Sequence, residues 1–84
     1  MEKEELEKTK IWASEKFGIP KKDVLWYNHG ICYDRIGVRT KKSADKVSVA
    51  CTGERVNGGM YDGMPLGAIS HIVHDKEEYW DVTC

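Results

Sequence analysis

No stretch of this sequence is apolar over the roughly 20 residues that a membrane-spanning helix needs, so a helical membrane protein is excluded. The first residues are charged rather than apolar, and no secretory signal is expected there. Cysteine is scarce: Cys32, Cys51 and Cys84 share no close spacing and, being three, cannot all pair within one chain. A soluble protein of a reducing compartment, the cytoplasm, is therefore expected, with the cysteines acting as small apolar side chains.

Motifs for phosphate and metal chemistry are also lacking. Gly63 is followed by Met64 and Pro65, where a phosphate loop requires Lys and then Ser or Thr. Gly58, Gly59, Gly63 and Gly67 do not reproduce the G-x-G-x-x-G spacing of a dinucleotide site. No C-x-x-C knuckle suggests structural zinc, and His71 and His74, three apart, would point to opposite faces of a strand. No Cys–His pair or carboxylate pair is fixed by adjacency. Neither a catalytic residue nor a cofactor nor a metal is expected, and the function is read as non-enzymatic.

What is present specifies a folded domain. The chain is 40% hydrophobic and 32% charged, outside the disordered class, and its 84 residues make one domain spanning 1–84. A chain of this size buries roughly 60–65% of its unfolded surface, so its core is thin and a site belongs on a surface groove or a subunit interface. Charge is uneven: residues 1–46 carry net +3 and residues 47–84 carry net −4. That layout suits a solvated surface, two different partners, or head-to-tail contact between copies.

Residues 2–17 read as a helix. Leu6, Ala13 and Phe17 fall within about 20° of one line on a helical wheel, with Thr9 and Trp12 beside them. Glutamates crowd the first turns, where unpaired N–H groups favour negative charge. Gly18, Ile19 and Pro20 form a stop: a left-handed residue, an apolar contact back onto the helix and a ring that cannot continue it. The period then shortens. "VLWYNHGICYDRIGVRT" predicts a hairpin around Asn28-His29-Gly30, with Gly30 at positive φ. In that register Leu25, Tyr27, Ile31 and Tyr33 share one face, and Val24, Trp26, Cys32, Ile36 and Val38 the other. A bulge at Asp34-Arg35 would absorb the break in pattern.

"KVSVACT" alternates, which predicts a strand with Val47, Val49 and Cys51 inward; a short helix over 43–51 begun at Ser43 is the alternative. "AISHIVHD" and "EYWDVTC" read as two further strands joined through Asp75-Lys76-Glu77, with Trp80, Val82 and Cys84 on one face. The expected fold is α+β: one N-terminal helix on an antiparallel sheet of four or five strands over 23–84, in the order αβββββ. A glycine-rich loop over 53–67 interrupts that sheet.

Three surfaces are candidates for function. Met60, Tyr61, Met64 and Leu66 place apolar bulk in the loop "GERVNGGMYDGMPLG", which is either self-packed or aimed at a partner. Its candidate contact residues are Asn57, Gly58, Gly59, Met60, Tyr61, Asp62 and Met64. Asp75, Glu77, Glu78 and Asp81 make an acidic end beside Tyr79 and Trp80, so Glu78, Tyr79 and Asp81 are added to the contact set. Trp12 is a further anchor if it lies outside the core. A basic hairpin with Tyr27, Tyr33, Arg35, Arg39, Lys41 and Lys42 is the alternative, a platform that would stack bases and follow phosphates.

The expected function is a small protein that works by macromolecular contact, with a protein as its partner. The profile is that of a phage-type inhibitor of a host defence protein. The alternatives are a nucleotide binder or sponge that uses backbone N–H groups of the glycine-rich loop, and a single-stranded nucleic-acid-binding module. A homo-oligomer is compatible with all three.

Overall fold

The computed structural model describes residues 3–31, 33–52, 55, 62, 63 and 65–84. Helix α1 spans Lys3–Phe17, strand β1 Val24–Asn28, strand β2 Arg35–Val38, helix α2 Lys41–Cys51, strand β3 Ile69–His74 and strand β4 Glu77–Thr83, with a single 3₁₀ turn at Lys21–Asp23. The strands form one antiparallel sheet in the order β1-β2-β4-β3. The α+β class holds and the sheet has four strands. The sequence of elements is αββαββ, not αβββββ, because residues 41–51 are helical.

The helical fold of residues 41–51 has a local cause. Thr40 takes extended backbone angles and its side-chain oxygen accepts a hydrogen bond from the N–H of Ser43 at 3.2 Å, an N-cap. Lys41 and Asp45 pair across one turn. Ser43, Ala44, Val47 and Cys51 then form a stripe of period 3.6 against the sheet, whereas Val49, expected inward, is exposed. Alternation in "VSVAC" is compatible with either element, and the cap decides it.

Helix α1 ends as its sequence predicts. Gly18 has φ of 67°, the N–H of Ile19 reaches back to the Ser14 carbonyl at 3.2 Å, and Ile19 is buried.

The first hairpin differs from expectation. Asn28 pairs with Arg35, so its connection runs from His29 to Asp34, and Gly30 is not at positive φ. Asp34 organises that turn. Its backbone exchanges two hydrogen bonds with Cys84, at 2.8 and 2.7 Å, and its carboxylate accepts from the Tyr27 hydroxyl at 2.6 Å and the Gly30 N–H at 3.3 Å. The irregularity in pairing lies between Val24 and Trp26 rather than at Asp34-Arg35. It turns Val24 and Tyr27 to the same side, with Ile36 and Val38 opposite them, and sends Trp26 to the other side. Ile31, expected on a strand face, is fully exposed.

Both helices lie on one face of the sheet. Between the layers sit Ala13, Phe17, Val24, Tyr27, Ile36, Val38, Ala44, Val47 and Val82, with Leu66, Ile69, Trp80 and Cys84 packed at the margin. Each fully buried aliphatic side chain contributes about 1.5–3 kcal/mol relative to exposure. No helix among the described residues is long and apolar enough to cross a membrane.

Candidate functional site

The face of the sheet away from the helices carries the candidate site. Strand pairing sets its side chains in rows. Trp26, Gly37, Asp81 and Ser70 form one row across all four strands; Asn28, Arg35 and Thr83 form the next; Tyr79 and Ile72 lie on the other side. No helix covers this face among the described residues.

Gly37 is the floor of the site. A Cβ placed there would come within 2.4 Å of Cε2 and 2.5 Å of Nε1 of Trp26, so the indole lies against bare backbone. Its ring meets that of Tyr79 edge-on, with centroids 6.1 Å apart and planes at 78°. Both rings are half-buried, as is Ile72. An aromatic pair held in this way presents large area at little entropic cost.

Charge on this face is internally balanced. Asp81 is only 3% exposed although it points away from the helices. Arg35 folds over it, donating from Nε to Oδ1 at 3.2 Å and from an Nη2 to Oδ2. That carboxylate holds the guanidinium proton more tightly, raising the Arg35 pKa above its usual value. Toward the β3–β4 turn, Leu25, Arg39, Glu77, Glu78 and Tyr79 line an open hollow of about 270 Å³.

The contact residues expected from sequence are thus partly gathered and partly dispersed. Tyr79 is on the open face. Glu78 is exposed and faces the helix side, 3.4 Å from His71, whose ring stacks on Trp80 at 4.8 Å. Asp81 is not part of an exposed acidic patch: it is 3% exposed and paired with Arg35. Asp62 is exposed in a turn; Asn57, Gly58, Gly59, Met60, Tyr61 and Met64 lie outside the described residues. The loop's described end is fixed: Arg55 bridges to Pro65, and the Gly67 carbonyl accepts from Ser48 Oγ at 2.6 Å. Leu66 packs against the core.

The basic set does not assemble as a stacking platform. Tyr27 is buried in the core, where burial and then the Asp34 carboxylate raise its pKa well above the ordinary phenol value. Arg35 lies on the opposite face from Tyr27, not the same one. Tyr33 is half-buried in the β1–β2 connection. Lys41 pairs with Asp45, and Arg39 donates to the Lys22 carbonyl at 3.1 Å. Lys42 borders a small hollow with Pro20, Asp23, Ser43 and Lys46. Its floor is acidic: Asp23 accepts from Ser43 Oγ at 2.7 Å and Thr40 Oγ1 at 3.1 Å.

Trp12 is 41% exposed and meets Tyr27 edge-on at 4.9 Å, with the Lys16 ammonium 5.0 Å over its ring. It is a second, smaller exposed aromatic position on the opposite side of the molecule from Trp26.

Trp26, Gly37 and Ile72, which the structure gathers on the candidate face, are not among the residues that the sequence pattern singles out. The signal for Gly37 was available: a lone glycine between Ile36 and Val38 marks a place where another group approaches the backbone. No family model matches the chain, and no curated protein or solved structure shows significant similarity to it.

Proposed function

We propose that the chain is a non-enzymatic binding module that docks the open face of its sheet onto a protein partner. One observation carries this reading: Trp26, Tyr79 and Ile72 surround a charge-neutral Arg35–Asp81 pair on a face that neither helix covers. Aromatic side chains with a neighbouring arginine are the residue types that dominate binding energy at protein interfaces. A protein suits this face better than a phosphate chain does. Its central cation is already neutralised by Asp81, and Glu77 accompanies Arg39 at the hollow.

In its finer form, the reading is of a small inhibitor that occupies another protein's working surface, as a phage-type antagonist of host defence would. Its support is the chain's size, its net charge of −1 and a sequence without a catalytic motif.

The test compares affinity capture by the wild-type chain with capture by Trp26→Ala, Tyr79→Ala and a control, Val49→Ala, on the exposed side of α2. Circular dichroism verifies that each is folded. The proposal predicts a specific protein retained by wild type and Val49→Ala and reduced about tenfold or more by either aromatic variant, a loss of about 1.4 kcal/mol or more. Equal capture by all four chains contradicts it. So does oligonucleotide binding that weakens steeply with salt and depends on Trp26 and Tyr79, which would assign the face to nucleic acid.

A further inference from the structure

Cys51, at the last turn of α2, and Cys84, just after β4, are 33 positions apart in sequence. The fold brings their sulfur atoms to 2.8 Å as free thiols. Two independent restraints hold them there. Cys51 completes the buried stripe of α2, and the backbone of Cys84 is fixed by its two hydrogen bonds to Asp34. Neither thiol is used in the contact surface described above.

We infer that Cys51 and Cys84 are a dithiol site that a small-molecule disulfide, of the glutathione disulfide class, converts to an intramolecular disulfide. Cys84 is the more accessible of the two and makes the first attack as its thiolate. Its sulfur bonds to one glutathione sulfur, the oxidant's S–S bond breaks, and the departing glutathione thiolate takes up a proton. Cys51, as thiolate, then attacks the Cys84 sulfur of the mixed disulfide, releasing the second glutathione thiolate, which is protonated in turn. The chain loses two protons and two electrons; the oxidant gains them as two thiols. Burial, followed by the Cys51 contact, raises the Cys84 pKa, so the first step is slow near neutrality and quickens as pH rises.

The bond encloses residues 52–83. It therefore ties the end of α2 to the end of β4 and closes the base of the glycine-rich segment and of the β3–β4 hairpin within one covalent ring. The site makes the stability of the contact surface responsive to oxidant without placing a cysteine in that surface.

The experiment uses the full chain carrying Cys32→Ser, incubated with glutathione disulfide at about pH 8, unfolded in the presence of an alkylating agent and weighed by mass spectrometry. The expected product is a monomer about 2 Da lighter than the reduced chain, unalkylated, with one peptide pair joining Cys51 to Cys84. Its Tm rises by about 10 °C, and dithiothreitol reverses the change. In this background Cys51→Ser, oxidised in the same way, retains one glutathione as a stable adduct at Cys84. Two alkylated thiols after incubation, a persistent glutathione adduct on the parent chain, or disulfide-linked dimers would each overturn the inference.

Discussion

Asp81 and Arg35 form an asymmetric pair: the carboxylate side chain is 4% exposed, while the arginine that covers it is 50% exposed. The two partners therefore do not depend on each other equally. Arg35 can be hydrated by a small movement if it loses Asp81, but Asp81 without Arg35 is a charge left under its neighbours. Arg35→Ala is expected to cost about 1–3 kcal/mol in urea unfolding, and Asp81→Asn less than about 1 kcal/mol. Equal or reversed losses would show that Asp81 is already well solvated.

Gly37→Ala is expected to destabilise by about 1–3 kcal/mol, because the new methyl group occupies the place of the Trp26 indole. In the Trp26→Ala background that space is open, and the same substitution should cost close to nothing. A double-mutant cycle measures the difference directly. Additive losses would mean that the ring does not lie on the glycine.

Stability should decline on the alkaline side. The folded state raises the pKa of Cys84 above the usual 9.0 and of Tyr27 above the usual 10.0, so the unfolded chain releases these protons first. The stabilisation is complete below about pH 8.5 and is lost as pH rises from there, first through the thiol and then, above about pH 10, through the phenol. Tyr27→Phe should remove the upper part of that decline while costing about 1 kcal/mol near neutrality for the lost bond to Asp34. Denaturant titrations at several pH values test both statements.

The β3–β4 turn offers a stabilising change. Asp75 and Lys76 both have positive φ, 48° and 69°, in a two-residue connection where His74 pairs with Glu77. Such turns favour Asn or Asp followed by Gly. Lys76→Gly should stabilise the chain by about 1 kcal/mol, seen as a higher urea midpoint with an unchanged slope.

Much of this architecture is legible in the sequence where local chemistry is unambiguous. The stop at Gly18-Ile19-Pro20 combines three independent signals, and the two final strands carry aromatic and β-branched residues on either side of a turn. Residues 43–51 are not legible from period alone, because Val47 and Cys51 satisfy a helical stripe as well as a strand's alternation. The decisive group is the Thr40 hydroxyl, outside the apolar pattern. The first hairpin misleads for a different reason: Asn28-His29-Gly30 is a good turn sequence, but Asp34 gains four hydrogen bonds by closing a longer connection against Cys84. A tertiary contact of that kind leaves no local trace. Tyr79, singled out in the sequence, lies on the open face, whereas Asp81 misleads because it is buried and paired with Arg35, 46 positions away.

We propose that the open face of the sheet meets a protein. Photo-crosslinking tests it with the partner still unidentified: a photoreactive amino acid replaces Ile72 on the open face in one chain and Val49 on α2 in another. Each chain is irradiated in the cells that make it. A discrete protein adduct is expected from position 72 and none from position 49. Adducts of equal yield from both positions, adducts to nucleic acid, or no adduct from position 72 would contradict it.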